Sequence, residues 1–259
     1  EQWPIGLLIA SLHRYSVAFD RNKPSWNRLF SKVVPPKGTH IVEQNLSILT
    51  GIGIAEKDWI KALSLFYTEN DRQALHQIEP TLKDKCYVNI QPTARQSFKC
   101  WDDDKFASVI DYLMQRGLHV ILTCGPLQSE LDQVNRIATR CTRKPDLRFA
   151  GKTSFLQLAA LIDGAALYIG VDSAPMHMAA ALKTPQVCLF GATNHQQWRP
   201  WSDEATLIWA GDYHDMPKRD VLDRSKKYLS WIPVNAVIDA VAAVLDKDAG
   251  TNDGNANEC

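Results

Sequence analysis

The chain lacks an excess of charge of either sign: 29 Lys and Arg face 29 Asp and Glu in 259 residues. That balance argues against a general nucleic-acid binder, which needs a basic surplus to meet phosphates. Long apolar runs are missing too. A bilayer-spanning helix needs about 20 consecutive apolar residues, and the early run Ile5 to Ala10 falls far short. None of the six cysteines, at 86, 100, 124, 141, 188 and 259, stands in a CxxC pair. Neither a zinc site nor a redox dithiol is therefore indicated. Several cysteines sit in apolar stretches such as Val187-Cys188-Leu189-Phe190, as small buried hydrophobes do in a reducing compartment. No GxGxxG follows a strand signal, and no GxxxxGK[ST] occurs. A standard dinucleotide fold and a P-loop NTPase are thereby disfavoured. HExxH is absent, and so is the GxSxG of α/β-hydrolases.

What is present alternates. From about residue 84, buried-strand signals at Cys86–Ile90, Leu118–Leu122, Leu147–Phe149, Ala166–Val171 and Gln186–Phe190 are separated by helical patterns. Phe106, Val109, Ile110 and Leu113 recur at helical spacing, as do Leu131, Val134, Ile137 and Ala138. Thr153 or Ser154 is placed to cap a helix carrying Phe155, Leu158, Ala159 and Ile162. Asp102, Asp103 and Asp104 suit the positive amino end of another. Such alternation predicts an α/β fold with a parallel sheet covered on both faces. Ligands of these sheets bind beyond the carboxyl ends of the strands. Residues 1–83 carry a helix before His13, a short strand at Ser16–Phe19, a Pro/Lys-rich loop at Lys32–Lys37, and helices near His40–Leu49 and Asp71–Ile78. That suits only part of an α/β domain. The expected division is 1–83, 84–248, and a polar, disordered tail over 249–259.

Three segments fall after strands. Gln91-Pro92-Thr93-Ala94-Arg95-Gln96-Ser97-Phe98-Lys99-Cys100-Trp101 offers hydroxyls, two cations and a helix amino end, which together suit a diphosphate. An ordinary loop with solvated cations is the plainer reading. Gly170-Val171-Asp172-Ser173-Ala174-Pro175-Met176-His177 combines capping residues, a first-turn proline and a histidine one turn in; the plainer reading is a capped core helix. Phe190-Gly191-Ala192-Thr193 with Trp198-Arg199-Pro200-Trp201 adds a close-approach glycine and aromatic surfaces, which elsewhere serve more often as packing hooks. Lys218, Arg219, Arg224, Lys226 and Lys227 gather among Asp215, Asp220 and Asp223. A solvated mixed-charge loop is the plainer account, and contact with anionic head groups the sharper one.

These segments, in this order, resemble the lipopolysaccharide heptosyltransferases of glycosyltransferase family 9, in particular the subgroup that adds the branching inner-core heptose. The likeness runs from Trp3 to about Leu245 and includes Ala210-Gly211-Asp212-Tyr213. It implies a GT-B-like α/β fold of two Rossmann-like domains, the amino-terminal one incomplete here. It implies ADP-heptose as donor and a lipid A–core oligosaccharide as acceptor, at the cytoplasmic face of the inner membrane, with peripheral membrane contact. Transfer would be inverting, metal-independent and without cofactor. By motif, Thr93, Arg95 and Lys99 would meet the diphosphate-sugar. Asp172 would accept hydrogen bonds from heptose hydroxyls. Ser173 and Ala174 would donate to the diphosphate, and His177 would support that loop. Gly191, Thr193 and Trp198 are further binding candidates.

The sequence departs from the family in two places. Glu130, in Gly125-Pro126-Leu127-Gln128-Ser129-Glu130, does not align with an acidic ribose-binding residue. No glycine-rich first strand and no aspartate matching the family's proposed base precede Trp3. The base is therefore expected upstream of Glu1, and this chain alone is expected to be inactive. Two alternatives remain open: a GT-B-like nucleotide-sugar epimerase, and a non-catalytic ADP-sugar-binding remnant.

Overall fold

Short, nearly continuous apolar runs build the central strands, which are buried on both faces, and apolar residues at every third or fourth position build the helices. The computed structural model describes residues 3–12, 15–218 and 220–251. Its elements begin with α1 Trp3–Leu12, β1 Val17–Phe19, α2 Pro24–Asn27, β2 Lys32–Val34, α3 Ile41–Leu46 and α4 Glu69–Ile78. They continue with β3 Tyr87–Gln91, α5 Asp103–Gln115, β4 His119–Leu122, α6 Gln128–Arg140, α7 Phe155–Gly164, β5 Leu167–Val171 and α8 Ala174–Leu182. β6 Gln186–Phe190, α9 His195–Trp198, β7 Ala205–Trp209 and α10 Val234–Thr251 complete the series.

Contacts divide the chain into two units, Glu1–Ala62 with Gln196–Trp198, and Leu63–His195 with Arg199–Cys259. Residues 63–83, read from the sequence with the amino-terminal part, fall in the second. The reason is burial: Leu75 and Leu82 share a core cluster with Ala160 and Leu161 of α7. The first unit contains a parallel pair in which Val17, Ala18 and Phe19 face Lys32, Val33 and Val34. This corrects the expected loop at Lys32–Lys37. β-branched Val33 and Val34 suit a strand, Val34 is buried, and the loop starts only at Pro35-Pro36.

The second unit holds a five-stranded parallel sheet in the order β4-β3-β5-β6-β7. Alternate side chains serve opposite faces. Val88, Ile90, Val120, Leu122, Ile169 and Val187 pack with α5, α6 and α10 through Phe106, Val134 and Val237. On the other face Tyr168, Cys188 and Phe190 meet α7 and α8 through Ile162 and Met176.

The fifth strand is β7, not the expected Leu147–Phe149. That segment is a turn: Asp146 accepts from the backbone N–H of Arg148 at 2.8 Å, and its backbone pairs with β4 only through an isolated bridge, Ile121 to Asp146. Asp102 and Ser173 stand at their helix starts as expected, but neither forms a side-chain cap. Asp102 accepts instead from Ser230 Oγ at 2.7 Å. α10 extends to Thr251, into the segment expected to be a tail; residues 252–259 lie outside the described residues.

The chain runs from β3 to β4 on one side, then returns across β3 to β5 on the other. This reversal opens a crevice past the ends of β3 and β5, where open α/β sheets bind ligands.

Candidate functional site

A cavity of about 610 Å³ occupies that crevice. Its floor comes from the end of β3 and the residues after it: Gln91, Thr93, Ala94, Arg95, Gln96 and Lys99. The ends of β4 and β5 contribute Cys124, Gly125 and Asp172. Two helix amino ends close it, Ser173–Pro175 at α8 and Thr153–Phe155 at α7. The structure therefore brings together Thr93, Arg95, Lys99, Asp172, Ser173 and Ala174, which lie in two segments about 75 residues apart in sequence.

Lys99 ends a short 3-10 turn, Ser97–Lys99. Its Nζ lies 2.7 Å from Asp172 Oδ2. Asp172 is nearly buried, at 8% exposure, so the lysine supplies the countercharge that a carboxylate in such a place requires. Thr93 is 1% exposed. Its hydroxyl donates to Glu130 Oε2 at 2.7 Å and accepts from Gln91 Nε2 at 3.1 Å. The same Glu130 oxygen takes the Gly125 N–H at 2.8 Å. Glu130 thus ties the loop after β4 to the loop after β3. Burial, and secondarily the Glu130 charge, push the Cys124 thiol up to about 11, so it stays protonated at neutral pH.

Arg95 is solvent-exposed on the cavity rim. At α8, Ser173 is extended (φ −152°) and its side chain does not cap the helix. The first-turn N–H groups are consequently left for another acceptor. α7, in contrast, carries a full capping box between Ser154 and Gln157. Phe155, read from the sequence as one of the apolar residues carried by this helix, is 59% exposed and lines the cavity with Leu158 and Pro126.

The other candidates stand elsewhere. His177 lies within α8 and is not among the cavity's lining residues. Gly191 follows β6; a Cβ there would collide with Leu229, and its carbonyl accepts from Trp209 Nε1 at 3.1 Å. Packing accounts for this glycine. Thr193 does not line the cavity, and Trp198 groups with the first unit. Sequence reasoning assigned no role to Glu130, Gln91 or Phe155. The available signal was position: Gln91 opens the polar segment after the first strand of the alternating run.

The cavity joins cations and a helix amino end to two carboxylates and an apolar wall. It suits a ligand that is anionic at one part, rich in hydroxyls at another and flat at a third.

The family model for glycosyltransferase family 9 (heptosyltransferase) matches residues 7–229. The chain is 48% identical over 262 aligned residues to lipopolysaccharide heptosyltransferase 3 of Escherichia coli K12, covering 99% of this chain and 75% of that one. Among solved structures, a family 9 glycosyltransferase from Veillonella parvula superposes with a TM-score of 0.74 at 20% identity, over 91% of this chain and 68% of that one. The E. coli ADP-heptose lps heptosyltransferase II gives 0.69 at 20% identity, over 93% and 72%. At these identities the two structures speak for the fold alone, which is GT-B-like. The match to the family model, together with the 48% identity, establishes that the chain belongs to glycosyltransferase family 9 and is a glycosyltransferase of the heptosyltransferase kind.

Proposed function

We propose that this chain is a lipopolysaccharide heptosyltransferase whose donor, ADP-heptose, sits in the cavity at the ends of β3 and β5. Residues 84–248 form the donor-binding part. The observation that carries the reading is the meeting of Lys99 and Asp172 beside the uncapped amino end of α8. The diphosphate lies against that helix end, Lys99 and Arg95. Asp172 takes hydrogen bonds from heptose hydroxyls, and Thr93, held by Glu130, lines the diphosphate-sugar. Phe155 and Leu158 offer an apolar wall to the base. His177 acts behind the α8 turn rather than on the ligand.

Transfer breaks the bond between the anomeric carbon and the diphosphate oxygen, which keeps the electron pair. An inner-core heptose hydroxyl attacks from the opposite face, inverts the centre and gives its proton to a base. The leaving diphosphate is stabilised by Lys99, Arg95 and the helix dipole, so no metal is required of the step. The acceptor is a lipid A–core oligosaccharide at the cytoplasmic face of the inner membrane.

Within the cavity both carboxylates are already engaged, Asp172 by Lys99 and Glu130 by Thr93 and Gly125. This favours a second reading for the chain by itself, donor binding without turnover. Calorimetry with ADP and ADP-heptose tests the first reading. Asp172→Asn leaves ADP affinity near normal and removes the preference for ADP-heptose. Equal losses for both ligands would make Asp172 structural and remove the assignment. Product analysis with and without a lipid-linked acceptor separates transfer from epimerisation.

A further inference from the structure

A second cavity, of about 580 Å³, opens beside β4 and shares no lining residue with the donor cavity. β4 is an edge strand, so this face is not covered by another strand. The segment 136–152 that borders it carries Arg136, Arg140, Arg143, Lys144, Arg148 and Lys152 against a single acid, Asp146. The chain as a whole is neutral, which makes this run a local concentration rather than a reflection of composition.

The acid is already answered. Asp146 accepts from Arg148 Nε at 3.0 Å and from Nη2 at 2.7 Å, and His119 Nε2 lies 3.3 Å away. Arg148 is also paired with the buried Glu79. Of the remaining cations Arg136 pairs with Asp103 at 2.9 Å, whereas Arg140, Arg143, Lys144 and Lys152 have no carboxylate partner among the described residues. Arg143 donates to the carbonyl of Met114 at 2.7 Å, and Arg140 to that of Arg136 at 2.8 Å. Both guanidinium groups are thereby fixed while keeping most of their donors. Lys144 and Lys152, exposed and lining the cavity, make no side-chain hydrogen bond or ion pair among the described residues. The rest of the lining is largely apolar, with Met114, Val120, Pro145 and Leu147. A cleft of one charge sign with low-dielectric walls focuses its field on an incoming counter-ion. The 215–227 loop, by contrast, interleaves its cations with Asp215, Asp220 and Asp223.

We propose that this edge-strand cavity is an anion site for a phosphate-bearing group, with Lys144 and Lys152 as its principal cations. The group is the phosphate of an anionic lipid head group or a free phosphate, and the test separates these. It does not rest on the donor reading, because the two cavities are distinct.

The test uses the 259-residue chain, Lys144→Ala/Lys152→Ala and, as a control for general basicity, Lys218→Ala/Lys226→Ala. Each is co-sedimented with vesicles of phosphatidylcholine, with and without phosphatidylglycerol, at low and physiological salt. Each is also melted in rising inorganic phosphate. A lipid source predicts salt-sensitive binding to the anionic vesicles that is about 30-fold weaker in Lys144→Ala/Lys152→Ala, the loss expected for two cations at an anionic surface. Lys218→Ala/Lys226→Ala would bind as the unaltered chain does. A free-phosphate source predicts no such vesicle difference. It predicts instead a rise in melting temperature with phosphate that the cavity variant lacks. Circular dichroism confirms that the exposed substitutions leave the fold intact. If the cavity variant matches the unaltered chain in both arms, or if the chain binds in neither, the proposal is overturned.

Discussion

Lys99 and Asp172 answer each other in the structure, and each also faces the cavity. Removing the lysine therefore has two effects. Lys99→Ala should weaken ADP-heptose binding by about 1.5–3 kcal/mol, the scale of a charge-assisted hydrogen bond. It should also lower stability by about 1–3 kcal/mol, because a nearly buried carboxylate loses its partner. Calorimetry reads the first and denaturant unfolding the second; unchanged affinity in a folded variant contradicts the donor role. Cys124 gives a pH prediction. Its ordinary value is 9.0, and burial raises it to about 11. Below pH 9 both folded and unfolded states hold the proton, and the contribution is fully present. Between about 9 and 11 only the unfolded state ionises, so stability falls as pH rises. Cys141 is shifted in the same direction. Unfolding curves across this window should be less steeply pH-dependent in Cys124→Ala; an identical slope would mean that the thiol is not shifted.

At the scale of elements, β5 ends where the proposed donor residues begin. Tyr168 and Gly170 point to the same face, and a Cβ at Gly170 would collide with the Tyr168 ring and hydroxyl. Tyr168 is fully buried, so it has nowhere to retreat. Gly170→Ala should cost about 1–3 kcal/mol by overpacking and weaken donor binding, since Asp172 lies two residues on. A melting temperature equal to that of the parent refutes this. α7 depends on its cap: Ser154 accepts from Gln157 N at 3.1 Å, and Gln157 Oε1 accepts from Ser154 N at 2.8 Å. Ser154→Ala should lose about 0.5–2 kcal/mol. It should also loosen the cavity wall at Phe155.

For the whole molecule the consequential measurement is turnover. With both cavity carboxylates engaged, the chain expressed as written should bind ADP weakly or moderately and give no measurable transfer to heptose-deficient lipopolysaccharide. Clear transfer abolished by Asp172→Ala would overturn that and make Asp172 the base. No described helix is long and apolar enough to cross a membrane.

The sequence by itself determined the α/β class and most elements of the second unit. Their signals are local: apolar periodicity in α5, α6 and α7, and short buried apolar runs in β5 and β6. It also pointed to Thr93, Lys99 and Asp172, since polar residues after strands carry the chemistry of such sheets. β7 was not read as a strand: it is a half-exposed edge strand, Ala205–Trp209, with no helical pattern between it and β6 to continue the alternation. Leu147–Phe149 misled because its hydrophobicity serves burial of Phe149 rather than strand pairing. Tertiary structure alone decided the strand order, and with it that the loops after β3 and β5 face one crevice. It decided that Glu130 reaches back to Thr93, that Lys99 pairs with Asp172, and that Asp102 and Ser173 leave their helices uncapped. Those outcomes depend on distances between residues far apart in the chain, and no local pattern encodes them.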